Sequence, residues 1–76
     1  MPRGGVPLPH LRAWRVYALL SQQQLAAKAA VGTATVARLE TGGRANHVTA
    51  QRLANALNLT MRQLLRETPE EPDTTA

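Results

Sequence analysis

Apolar residues recur along the chain at intervals of three and four, in short bursts divided by polar positions. Leu11, Trp14, Ala18 and Leu19 make the first burst, and Leu25, Ala26 and Ala29 the second. Val36 with Leu39 follows, then Ala50, Leu53, Ala54 and Leu57, and finally Leu64 and Leu65. This is the spacing of one face of an α-helix repeated along the chain. β-Branched residues are scattered and no polar/apolar alternation persists, so no strand is expected.

Capping chemistry sets the boundaries. In Ser21-Gln22-Gln23-Gln24 the serine hydroxyl accepts from the backbone N–H of Gln24, and the Gln24 side chain reaches back to the N–H of Ser21, which opens a helix over about 22–29. Ala30-Val31-Gly32 interrupts it, and Gly32 is the N-cap of a third helix through Thr33 to Glu40 that stops at Gly42-Gly43. Asn46 caps a fourth helix, and Thr60-Met61-Arg62-Gln63 repeats the capping pattern ahead of a short fifth. The expectation is an all-α, compact five-helix bundle over residues 8–67. Residues 1–7, with two prolines and two glycines, are expected to form a mobile arm. Residues 68–76, polar, acidic and interrupted by proline, bury too little apolar surface to order themselves.

The second and third helices are joined by about three residues, too few for a loose antiparallel pair, so they cross steeply as in a helix-turn-helix. Close approach there demands a small residue, and Ala26 supplies it. Leu25, Val31, Val36 and Leu39 surround the crossing. Ala30 stands where a left-handed backbone is wanted, at a cost on the order of 1 kcal/mol for a residue with a Cβ.

Composition narrows the function. A chain of 76 residues buries only about 60% of its unfolded surface, which favours an interaction module over an enzyme. With no cysteine there is no disulfide framework and no thiolate metal cluster, so a reducing cytoplasm fits. No apolar run approaches the ~18 residues of a membrane span, and the opening MPRGGVPLPH has no signal-type apolar segment. A soluble, cytoplasmic, nucleoid-associated protein with no membrane partner is expected. The net charge of +4 hides an asymmetry: all nine basic residues lie before Glu67, where Glu40 is the only acid, so residues 1–66 carry a net +8. Such a body is suited to phosphates.

Residues 11–66 resemble the phage-repressor and Cro-type helix-turn-helix family, also called the xenobiotic-response-element type. The resemblance is carried by Leu20-Ser21-Gln22-Gln23-Gln24-Leu25-Ala26, Val31, Val36-Ala37-Arg38-Leu39-Glu40-Thr41-Gly42 and Leu53-Ala54-Asn55-Ala56-Leu57-Asn58-Leu59, in the family's order and spacing. It implies a lambda-repressor-like bundle that binds double-stranded DNA, usually as a homodimer on an inverted repeat. By the same resemblance Thr33, Ala34 and Arg38 read base edges, with Arg38 able to bond guanine O6 and N7 together. Gln22, Gln23, Gly32, Thr35, Arg44 and Asn46 are the expected backbone contacts. Arg15 and Glu40 match the family's ion pair between the first and third helices. Gly32 stands where the family usually has Ser or Thr, and Ala45 and His47 occupy a region where many members carry proline.

These features point to a sequence-specific transcriptional regulator, a repressor acting by occlusion. A phage switch, a restriction–modification controller and an antitoxin all fit the profile. The residues Leu59, Met61 and Leu65 are the candidate dimer patch, with closure of the monomer core as their other role. The alternative, favoured by the small side chains of the reading face and the acidic tail, is an adaptor or antitoxin-like module whose partner is a protein. An anionic-membrane binder is disfavoured because the basic residues edge no single amphipathic stripe. One Trp and one Tyr give no stacking platform for RNA. No catalytic set, cofactor or metal site is expected.

Overall fold

Residues 5–69 are described by the computed structural model. The order is β1 (Val6–Pro7), α1 (Leu11–Tyr17), α2 (Gln22–Ala29), α3 (Thr33–Glu40), β2 (Arg44–Ala45), α4 (His47–Ala56) and α5 (Met61–Arg66). The caps are those the side chains dictate. Ser21 and Thr60 each form a complete capping box with the glutamine three residues on, and Asn46 Oδ1 accepts from the N–H of Thr49 at 2.8 Å. Gly32 caps α3 from an extended backbone with no side chain to contribute.

The other ends share one device. After α1, α2, α3 and α4 the backbone turns left-handed at Leu19, Ala30, Gly42 and Asn58. In each case the next N–H reaches back five residues: Leu20 to Arg15, Val31 to Ala26, Gly43 to Arg38 and Leu59 to Ala54. This closure satisfies the last carbonyls of a helix and normally uses glycine at the left-handed position. Here only α3 has one, at Gly42 with φ +112.

α1 therefore ends earlier than its apolar spacing predicts. Ala18 and Leu19, expected on the inner face of the first helix, are exposed, Leu19 to 88%. The left-handed turn at Leu19 swings that side chain outward and sends Leu20 inward, where it packs on the core. Trp14 packs on the core as its place beside Leu11 implies. Its indole N–H donates to the Glu67 carbonyl at 2.9 Å, and its ring meets Tyr17 edge-on.

The core proper is Leu8, Leu11, Leu25, Ala26, Ala29, Val36, Leu39, Ala45, Ala50, Leu53, Ala54 and Leu64. α2 packs on both α3 and α4, and Ala26 is buried at the helix-turn-helix. Two further expectations need correction. A strand pair exists where none was expected: β1 and β2 run antiparallel, with Val6 opposite Ala45 and Pro7 opposite Arg44. The expected mobile arm of residues 1–7 consequently loses Gly5, Val6 and Pro7, which are tied to the loop between α3 and α4. The physical reason is that Val6 packs on the core just before buried Leu8, and Pro7 is tolerable on a strand with no further neighbour. Residues 1–4 and 70–76, which include most of the expected acidic tail, lie outside the described residues.

Candidate nucleic-acid interface

α3 divides cleanly. Val36 and Leu39 are buried, while Thr33, Ala34 and Arg38 are exposed. Ala34 and Arg38 are four residues apart and so form one ridge. Thr35 is half-buried on the flank towards β2. At the N-terminus of α3, Gly32 leaves the first amides without a side-chain acceptor, a disposition suited to an anion.

Gln22 and Gln23 open α2. Gln23 is exposed, but Gln22 is half-buried and its Nε2 donates to Glu40 Oε1 at 3.0 Å. Glu40 also accepts from Arg15 twice, Nε to Oε2 at 2.6 Å and Nη2 to Oε1 at 3.1 Å, while Arg15 Nη1 donates to the Leu20 carbonyl. The Arg15 and Glu40 side chains keep only 13% and 4% of their exposure. Burial alone pushes the Glu40 carboxyl up, but the hydrogen bonds from Arg15 and Gln22, together with the charges of Arg15 and Arg12, hold it below the usual carboxylate range. The hydrogen bond to Glu40 raises Arg15 in turn. The one acid of the basic body is thus spent internally, and it ties α1, the start of α2 and the end of α3 together.

On the other flank Gly5, Thr35, Arg38, Arg44, Ala45, Asn46 and Thr49 line an open concavity of about 430 Å³. Arg38 Nη1 lies 3.5 Å from the Arg44 carbonyl, and Arg44 Nη1 lies 3.4 Å from the Gly5 carbonyl. Asn46 spends its carbonyl oxygen as the α4 cap, which leaves its amide to donate. Arg38, Arg44, Thr35 and Asn46 are thus brought together, whereas Gln22 belongs to the separate Glu40 network. Three partners escaped the sequence reading. Gly5 looked like part of a mobile arm, the Gln22–Glu40 link joins residues 18 apart, and Arg52 on α4 donates to the Ala30 carbonyl at 3.2 Å. None leaves a local signal, since each depends on how distant segments are brought together.

A helix-turn-helix family profile matches residues 11–64. Among solved structures, the restriction-modification controller protein C.AhdI from Aeromonas hydrophila is 32% identical, over 72% of this chain and 85% of its own, with a TM-score of 0.70. SinR, the master regulator for biofilm formation, solved in complex with DNA, is similar in fold at 18% identity, over 79% of this chain and 98% of its own, with a TM-score of 0.71. Streptomyces albus HEPD contains a region 27% identical over 93% of this chain, with a TM-score of 0.72, but the match spans just 16% of that enzyme. A search of curated proteins found no match.

Proposed function

The chain belongs to the helix-turn-helix family, whose Cro/C1-type members are DNA-binding transcriptional regulators, and on that premise we propose that it represses transcription as a homodimer on an inverted-repeat operator. Residues 33–41 lie in the major groove, where Thr33, Ala34 and Arg38 meet base edges. Gln22, Gln23, Gly32, Thr35, Arg44 and Asn46 meet the backbone. The observation that carries this reading is the exposed ridge of α3, whose Arg38 shares an open concavity with Arg44 and Asn46, while Glu40 is already paired with Arg15 and Gln22. Positioning by phosphate contacts and reading by one helix is the division of labour such a surface supports. With only the Ala34 methyl and the Thr33 hydroxyl beside Arg38 on the reading face, DNA shape carries part of the specificity.

A twofold dimer needs a self-complementary patch. The candidate residues Leu59, Met61 and Leu65 all pack against the core, and Met61 and Leu65 also line a mostly apolar groove between α4 and α5, with His47, Val48, Gln51 and Arg52. Val48 is 60% exposed there, and this groove is the dimer face we favour.

Selection from random duplex DNA at physiological salt tests the proposal. Enrichment of an inverted repeat with half-sites about 34 Å apart is expected. Arg38→Ala should relax one position of each half-site by about 1–3 kcal/mol. Binding that is only salt-labile, enriches nothing and ignores Arg38→Ala would favour a protein partner instead.

A further inference from the structure

The strand pair explains a geometry that the helix-turn-helix does not require. Gly5 sits at φ +90, and a Cβ built there would lie 2.9 Å from Arg44 Cβ and 3.2 Å from the Ala45 carbonyl. Only glycine lets the chain pass this close to the loop. Its carbonyl receives Arg44 Nη1, and the Arg44 carbonyl in turn receives Arg38 Nη1. Gly43 makes room for this last contact, because a Cβ there would lie 2.8 Å from Arg38 Nη1. Two guanidinium groups are thus held in one concavity that no carboxylate lines among the described residues. An anion entering this concavity therefore meets positive charge that no neighbouring carboxylate offsets. The contacts holding the cations, at 3.4 and 3.5 Å, are at the long end of hydrogen bonding, and each engages a single Nη1, which leaves the other N–H groups of both forks for a charged oxygen.

We infer that Gly5, Val6 and Pro7 act as a strap that positions Arg44 for one phosphate of the DNA backbone, while the Arg44 carbonyl steadies Arg38 for the base edges. The inference rests on the DNA-binding reading above. The strap makes no base contact and is not itself the anion ligand. It is a positioning element, acting through the carbonyl of Gly5 and the register Val6–Ala45. Because the fork of Arg44 is shared between that carbonyl and the phosphate, lysine cannot replace it.

The test uses the full chain and its selected operator, with phosphate ethylation interference and the salt dependence of binding as readouts. Wild type is expected to show interference at a phosphate that Gly5→Ala, Arg44→Ala and Arg44→Lys each erase. The salt slope should fall by about one phosphate's share. Gly5→Ala should weaken binding roughly tenfold alone but less than about twofold in an Arg44→Ala background, since it acts through that side chain. A Gly5→Ala protein that folds and keeps the wild-type interference pattern overturns the strap, as does an equal loss in both backgrounds. If Gly5→Ala fails to fold, Arg44→Lys decides: retained interference at that phosphate overturns the inference, and its loss upholds it. A wild-type chain that gives no interference on any duplex overturns the DNA-binding reading itself.

Discussion

The two ends of α3 are held in opposite ways. At the N-terminal end the restraints are short in sequence: Val31 closes onto Ala26, Gly32 caps, and Thr35 and Val36 donate to the Gly32 carbonyl. Among the described residues the one distant hydrogen bond near that end is from Arg52 to the Ala30 carbonyl, in the turn before α3. At the C-terminal end Glu40 is bonded to Arg15, 25 residues away, and to Gln22, 18 away. The loop that follows is tied to Gly5 across 39 residues. A helix proposed to read base edges must be fixed at both ends to offer its ridge in one orientation. The comparison shows that one end is built from local chemistry and the other from long-range polar contacts, so the two should fail under different insults.

The sharpest way to break the contrast is Glu40→Gln, which leaves Arg15 without a counter-charge in a nearly closed site. A loss of about 3–5 kcal/mol is expected in thermal or urea unfolding. Because the folded Glu40 carboxyl is held below its unfolded value of about 4.3, its stabilisation is complete above that pH and drains away as pH falls through the lower folded value. That part of the acid destabilisation should be missing from the variant. An unchanged acid profile would mean that Glu40 does not hold the distal end. Smaller, and at the other end, Ala26→Val should cost about 1–3 kcal/mol by overpacking the buried crossing, with no pH dependence. If it is neutral in urea unfolding, the helices cross less tightly than the buried alanine indicates. Smallest of all, Ala30→Gly should stabilise by roughly 0.5 kcal/mol, the relief of left-handed strain less the added freedom of the unfolded chain. A measurable loss of stability would show that the Ala30 methyl contributes packing.

The same division decides what could be read from the chain alone. Periodicity and capping delimit α2 to α5, because a capping box, an asparagine cap and an interior stripe are all encoded within a few residues. Ala30 was legible as left-handed because the short connection forces a turn there. Leu19 was not, since leucine is among the least expected residues for that conformation, and the apolar spacing runs straight through it. The β1–β2 ladder was illegible for another reason. Two residues carry no alternation, and nothing local tells Val6-Pro7 that Arg44-Ala45 is its partner. At the interface, the exposed ridge Thr33, Ala34 and Arg38 follows from helical spacing with Val36 and Leu39 inward. The engagement of Gln22 by Glu40, and of Arg44 by Gly5, needed the tertiary fold.

The contact between Trp14 and Glu67 has a practical consequence. Trp14 is the only tryptophan, and its indole bridges the first helix to the residue that follows the last. Its fluorescence therefore reports closure of the whole bundle while touching neither the Glu40 network nor the Arg44 loop. Folding can be followed by emission in the same cuvette in which DNA binding is followed by the anisotropy of a labelled duplex. A variant that releases DNA while Trp14 keeps its native spectrum is then separated at once from one that has simply unfolded.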